Sequence, residues 1–450
     1  MNYQEAIQYL ESFINYEKIP RWPYKESLKL ERIKEFLVYL GSPQNSLNCL
    51  HIAGSKGKGS TCAFISYILK EGGFKVGLYT SPHLACFRER IRILEKKSTE
   101  ISHKLPEEFE GMVSEEEVSE LVEKLKPSIE EYNRNSKYGP LSFFEVYTAL
   151  AFVYFKEKKV DFVVLETGLG GRLDATNVAN ALVCGITPIS YEHTQKLGNT
   201  LAEIAYEKAG IIKDKQIVIS APQEKEAELL IRNRCKEVGA KLYKVNKDLL
   251  YKKTKKGFYV KGIFERYLDL KTRLLGEHQL ANATVAIGMA EALRFFDIYI
   301  DNNTIKKGLF NTVWPARCEV IAETPFIILD GAQNVASSKA LKGTIRENFS
   351  CEKLILILGI SRDKDIKGVC EELKDLADIV ILTKADNPRA TTPEVLSQYF
   401  KEKEKYTTQN TQEAIELAKR KASFKDLILV CGSLFVAGEI RQYLKTKITI

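Results

Sequence analysis

The segment His51-Ile52-Ala53-Gly54-Ser55-Lys56-Gly57-Lys58-Gly59-Ser60-Thr61 constrains this chain more than any other. It follows the apolar run Leu47–Ala53 and leads into an amphipathic stretch from Thr61 to Leu69. A buried strand, a glycine-rich turn and a helix, in that order, form the context of a phosphate-binding loop. The glycines let backbone N–H groups turn inward around phosphate oxygens, and the helix N-terminus adds favourable partial charge. Gly54, Ser55, Lys56, Gly57, Lys58, Gly59, Ser60 and Thr61 are therefore candidate ATP contacts. Lys58 would neutralise the β- and γ-phosphates, and the Ser60 hydroxyl would ligate Mg²⁺. The bland alternative is a surface turn rich in Gly and Lys.

Short apolar runs alternate with amphipathic stretches on both sides of this loop. Leu47–Ala53, Val76–Tyr79, Val160–Leu165, Leu182–Ile186 and Ile217–Ser220 read as buried strands, and their spacing predicts a mostly parallel sheet covered by helices. Between Lys241 and Leu270 the pattern changes to short β-rich pieces with turns at Gly257 and Gly262, which predicts a small antiparallel excursion before a helix over Gln279–Phe296. A second series begins after Trp314-Pro315, with strands at Phe326–Leu329, Lys353–Leu358, Asp378–Leu382 and Leu427–Val430. The expected architecture is α/β in two domains. Residues 1–312 carry the phosphate loop, residues 313–450 form a smaller Rossmann-like unit, and the boundary lies near 311–317.

A chain of 450 residues with 44% hydrophobic residues can bury more than one core. Its formal charge of +8 is spread among alternating Lys and Asp/Glu, which favours small anionic substrates. No basic motif interleaved with aromatics supports nucleic-acid binding. The nine cysteines contain no CxxC pair, as expected of reduced thiols in the cytoplasm. The start, MNYQEAIQYLESFINYEKIP, lacks the basic and apolar regions of a signal peptide, and no apolar run is long enough to span a membrane.

Two further segments suggest a cleft beside the loop. The apolar run Val160–Leu165 ends in Glu166-Thr167-Gly168-Leu169-Gly170-Gly171-Arg172-Leu173-Asp174-Ala175-Thr176-Asn177. A carboxylate at the C-terminal tip of a parallel strand faces the crevice where α/β folds bind ligands, so Glu166 is a natural Mg²⁺ ligand, although a lone strand-end Glu is more often a cap or ion-pair partner. His193, in Ser190-Tyr191-Glu192-His193-Thr194, also follows a strand and could bind metal as a neutral imidazole.

These segments together resemble the folylpolyglutamate synthase and dihydrofolate synthase branch of the Mur ligase superfamily. The loop is similar to that branch's usual Gly-Thr-Asn-Gly-Lys-Gly-Ser, with Ser55 and Lys56 replacing Thr and Asn. The run Gly168 to Asn177 matches almost letter for letter, and the helix ending Lys208-Ala209-Gly210-Ile211 matches as well. The resemblance extends from Leu28 to Cys431-Gly432-Ser433-Leu434. It implies a Mur-ligase-like central domain and a Rossmann-like C-terminal domain.

The resemblance also implies roles. Ser81, Glu166, His193 and a carbamylated Lys208 join Ser60 around two Mg²⁺ ions, while Glu192 stands where the family has Asp. Asn282 lies near adenine, Asp330 near ribose, and Arg317 reaches the triphosphate from the domain junction, with Ala316 replacing a usual Gly. Gln333 and Ser433 mark the glutamate site, Gln333 standing where His is common. Phe143 or Phe144, with Arg172 and Asp174 of the Gly168–Thr176 loop, are candidate folate contacts. Arg88 and Arg90 are either anion contacts or part of an exposed edge.

The expected enzyme is a monomeric, cytoplasmic ATP-dependent ligase that adds L-glutamate to a folate or dihydropteroate carboxylate. An acyl phosphate is its intermediate, and Lys58, Lys208, Arg317 and His193 are its catalytic residues. A cell-wall Mur ligase shares the chemistry, a small-molecule kinase would share the loop, and a non-catalytic nucleotide-binding protein would need only the loop.

Overall fold

The computed structural model of the protein describes residues 1–19, 22–96 and 109–448, so Pro20 of the N-terminal pattern lies outside it. Seven strands make the first sheet: β1 (Cys49–Ala53), β2 (Val76–Tyr79), β3 (Ile91–Leu94), β4 (Phe162–Glu166), β5 (Ala181–Ile186), β6 (Ile217–Ser220) and β7 (Lys241–Lys244). Their order is β3-β2-β4-β1-β5-β6-β7, and every pair is parallel except β2 with β3. The central strands are buried along their whole length because helices cover both faces, which is why they appear in the sequence as continuous apolar runs.

The chain leaves β1 for β2, returns through β4 on one flank of β1, and then continues to β5 on the other. The carboxyl end of β1 is therefore a point where the direction of winding reverses, the position at which α/β sheets open a crevice for ligands. The helix Lys58–Glu71 starts there and is buried from Ser60 to Lys70. It packs against helices Glu277–Ala292 and Asn302–Asn311. Gly308 permits one of these contacts, since a side chain there would begin 2.5 Å from the Ile68 Cα.

One expectation is corrected. The Lys241–Leu270 region is not wholly an antiparallel excursion, because β7 joins the first sheet in parallel beside β6. The antiparallel part is a three-stranded sheet of β8 (Leu250–Thr254), β9 (Gly257–Lys261) and β10 (Arg266–Leu270).

The third sheet holds β11 (Glu319–Glu323), β12 (Phe326–Leu329), β13 (Leu354–Leu358), β14 (Ile379–Leu382), β15 (Glu404–Thr407) and β16 (Leu427–Cys431). Their order is β11-β12-β16-β13-β14-β15, with only β11 antiparallel to its neighbour. Alternate residues of β13 enter opposite cores. Leu354, Leu356 and Leu358 face one, and Ile355 and Ile357 face the other.

Candidate active site

The phosphate loop is shaped by close contacts that only glycine allows. Gly54 and Gly57 have φ of +151° and +82°. A Cβ on Gly54 would lie 1.8 Å from Thr187 Oγ1, and one on Gly57 would lie 2.3 Å from Asn282 Oδ1. The helix that follows has no side-chain cap, so its first-turn N–H groups remain for a ligand. The front of the loop is committed elsewhere, because the Ser55 and Lys56 N–H groups both donate to Pro188 O, at 3.0 and 3.2 Å.

Glu166 ends β4 beside Ile52 of β1, and this register aims its carboxylate at the loop. Lys58 Nζ lies 4.0 Å from Glu166 Oε1. The Ser81 N–H, just beyond β2, donates to Glu166 Oε2 at 3.2 Å. Burial raises the Glu166 pKa, while Lys58, the Ser81 N–H and Arg317 pull it down. Gly59, Ser81, Glu166, Trp314, Arg317 and Leu434 line one cleft between the first and third sheets.

Lys208 enters from behind the loop. It is 2% exposed and donates to Gly54 O at 2.8 Å, with no carboxylate among its hydrogen-bond partners. Burial and the nearby Lys58 charge push its pKa down to about 7, against the pull of Glu192. His193 is exposed, directly after Glu192, with φ +51°. The surrounding protein, more than the charges of Lys364, Lys208 and Lys58, outweighs Glu192 and lowers its pKa to about 4. That direction favours the uncharged imidazole, the form that ligates metals.

Among the described residues no three His, Cys, Asp or Glu side chains cluster so as to hold a metal by themselves. Mg²⁺ needs no such cluster, since it binds through one or two carboxylates and keeps phosphate oxygens and water in the rest of its shell. Glu166, with Ser81 bonded to it through its N–H and Ser60 following Gly59 of the cleft wall, fits that requirement. The buried hydroxyls of Thr61 and Thr167, next in sequence to Ser60 and Glu166, have no hydrogen-bond partner.

Arg317 is presented by an unusual turn. Ala316 and Cys318 on either side of it have φ of +52° and +50°, a conformation that glycine adopts at less cost. The turn is fixed by the Ala316 N–H donating to Glu319 Oε2 at 2.9 Å and the Cys318 N–H donating to Asp330 Oδ2 at 2.7 Å. Asp330 also accepts from the Ala332 N–H at 2.7 Å, so its carboxylate is already engaged by backbone. Asn282 is buried against Gly57 and donates to Gln279 Oε1 at 3.0 Å.

The remaining candidates separate into contacts and scaffold. Phe143 is 0% exposed and packs in the core, whereas Phe144 is partly buried with its ring against Gly168. Asp174 is buried, and its carboxylate accepts N–H groups from Gly168, Leu169 and Thr176 at 2.9, 2.9 and 3.0 Å, which makes it a clamp of the glycine loop. Arg172 pairs with Glu207 at 2.8 Å. Gln333 and Ser433 sit at the starts of helices on the third sheet, where the Gln333 N–H donates to Ser337 Oγ and Ser433 Oγ accepts from the Phe435 N–H. Arg90 is fully engaged by Glu17 and His83 rather than exposed.

Sequence reasoning missed Thr187, which fills the space left by Gly54, and His83, which lines the cleft two residues after Ser81. For His83 the Ser-Pro-His order was the available signal. For Thr187 only the Gly54 conformation reveals it.

Comparison with known proteins agrees with this arrangement. The Mur ligase middle domain matches residues 128–290, and the Mur ligase glutamate ligase domain matches residues 316–434. The chain is 34% identical to the dihydrofolate synthase/folylpolyglutamate synthase of Bacillus subtilis, over 92% of this chain and 95% of that one. It is 31% identical to the folylpolyglutamate synthase of Lacticaseibacillus casei, over 99% of both. Among solved structures, the Escherichia coli FolC in complex with DHPP and ADP superimposes with a TM-score of 0.85 at 27% identity, covering 100% of this chain and 99% of that one. The phosphate loop, the Glu166 strand end and these matches over nearly the whole length establish that the chain belongs to the folylpolyglutamate synthase/dihydrofolate synthase family of Mur ligases.

Proposed function

We propose that this protein joins L-glutamate to the carboxylate of a folate or of dihydropteroate, consuming ATP through an acyl phosphate. One observation carries the reading: the Lys58 ammonium and the Glu166 carboxylate face each other 4.0 Å apart across a cleft that Arg317 also lines. A carboxylate does not acylate an amine unaided, because its oxygen leaves poorly. ATP phosphorylates one carboxylate oxygen and ADP leaves. The glutamate amine then attacks the acyl carbon, and the tetrahedral intermediate expels phosphate as the amide forms.

In this sequence Lys58 and Arg317 neutralise charge on the phosphoryl oxygens, and the N–H groups at the start of helix Lys58–Glu71 bind the same group. Mg²⁺ would be held by Glu166, Ser60 and Ser81, and a second ion by His193 and Lys208, and bound there it would supply charge neutralisation at the phosphates. Support for a carbamate on Lys208 comes from its burial, its partner being only a carbonyl, and its lowered pKa, since an uncharged amine is the form that adds carbon dioxide. Folate contacts fall to Phe144 and the Gly168–Thr176 loop beside it, with Arg172. Glutamate contacts fall to Gln333 and Ser433. The nucleotide lies between Asn282 and Asp330. We divide the chain at residues 312 and 313 and take the enzyme to be a cytoplasmic monomer that acts on small molecules. Among the described residues no helix is long and apolar enough to cross a membrane.

The test is a product assay with ATP, Mg²⁺ and glutamate, comparing dihydropteroate with tetrahydrofolate as acceptor. ADP release that requires both glutamate and an acceptor is expected, and the preferred acceptor separates dihydrofolate synthesis from tail extension. A stable phosphorylated product formed without glutamate would identify a kinase instead.

A further inference from the structure

Two of the residues near the phosphate loop that depart from the family pattern, Lys56 and Glu192, meet in space. Lys56 Nζ lies 2.6 Å from Glu192 Oε1, and their side chains are only 30% and 16% exposed. They are the outermost link of a zipper that extends the β1–β5 pairing past the ends of both strands. The Thr187 N–H donates to Ala53 O at 2.8 Å, the Ser55 N–H donates to Pro188 O at 3.0 Å, and Ser55 Oγ both donates to Ser190 O at 3.0 Å and accepts from the Ser190 N–H at 3.1 Å. Lys56 and Glu192 follow, and His193 is the next residue.

This divides the phosphate loop into two functional halves. Ser55 and Lys56 spend their N–H groups, and Lys56 its ammonium, on the β5 extension, while the helix start from Lys58 remains for phosphate. We propose that Lys56 and Glu192 act as one positioning unit, a charged strut that fixes His193 relative to the phosphate loop and so sets the cation-holding wall of the cleft. The identity of that cation rests on the ligase reading above. A neutral side chain at position 56 would leave the Glu192 carboxylate without its partner and free to turn towards Lys58 and Lys208, whose charges already act on it. A shorter carboxylate at 192 would in turn fall short of Lys56. The strut therefore requires both substitutions together.

The test is Mn²⁺ binding, followed by electron paramagnetic resonance in the presence of a non-hydrolysable ATP analogue, with thermal melts confirming that each variant is folded. Lys56→Asn and Glu192→Asp should each weaken Mn²⁺ binding by about 10-fold, the usual consequence of removing a partner that orients a metal ligand. The double variant K56N/E192D should bind Mn²⁺ about as weakly as the worse single variant and no weaker, because the two effects are coupled. The charge exchange K56E/E192K should bind Mn²⁺ better than either half of the exchange alone, and it supplies the answer if a single variant fails to fold. Losses that simply add in the double variant would overturn the strut. So would a Lys56→Asn protein that loses affinity for the analogue but keeps its Mn²⁺ affinity, because Lys56 would then be a phosphate contact. Wild-type protein that binds neither Mn²⁺ nor the analogue would sink the ligase reading itself.

Discussion

Arg90 and Lys208 are both buried cations near the same cleft, and their surroundings are opposite in kind. Arg90 is saturated: its guanidinium forks onto Glu17 at 2.9 and 2.6 Å, its Nε donates to His83 Nδ1 at 2.9 Å, and the ring of Phe143 lies 5.5 Å from its centre. Lys208 is left wanting: its one hydrogen bond is to the Gly54 carbonyl, and its strongest charged neighbour is another cation, Lys58. Burying a charge without a counter-charge is costly, so such a residue persists for what it does to a ligand rather than for what it adds to the fold. By this contrast Arg90 belongs to the scaffold, and we assign Lys208 to the proposed chemistry.

Lys208→Met applies the largest strain to the comparison. Ligase turnover should fall by about 10²–10³-fold, the size of effect seen when one preorganised electrostatic group is removed, while the melting temperature stays level or rises because a buried amine held by a single carbonyl has gone. A large drop in melting temperature with turnover retained would reverse the assignment. Arg90→Met should do the opposite and lower stability by about 3 kcal/mol, the low end for breaking a buried pair because Glu17 keeps some contact with water. Denaturant unfolding measures it.

Smaller effects sharpen the same line. Ala316→Gly removes the left-handed strain beside Arg317 and should raise stability by about 1 kcal/mol in a denaturant titration. Lys213 tests a cation that has no carboxylate yet donates to the Asn177 and Ala179 carbonyls, both at 2.6 Å. Burial lowers its pKa to about 8 from the ordinary lysine value of 10.5. Between those two values the unfolded chain binds more protons than the folded one, so this lysine makes stability rise with pH across that window. Lys213→Met should flatten that rise and leave turnover close to wild type, as expected of a bonded scaffold group.

The parts of this picture legible in sequence are those fixed by neighbouring residues. The phosphate loop follows from glycines between a strand and a helix, and Glu166 from its place at the end of an apolar run. The central strands were readable because both faces are covered. The edge strands β3, β11 and β15 were not read and β7 was assigned to the wrong sheet, since they are short and most keep one side in water, leaving no continuous apolar run. Asp174 looked like a ligand because it sits in a glycine-rich run. In the structure it accepts from backbone N–H groups, which carry no letter in the sequence, and from the Thr176 hydroxyl. The Lys56–Glu192 pair was beyond reach for another reason: it joins residues separated by 136 positions, and only the parallel pairing of β1 with β5 brings them together.

The central claim is that this cleft activates a carboxylate by phosphorylating it. The direct measurement is isotope transfer, with the acceptor's carboxylate labelled with heavy oxygen and the released phosphate examined by mass spectrometry. The account predicts one heavy oxygen in phosphate for each amide formed. Amide formation with the label absent from phosphate would contradict it.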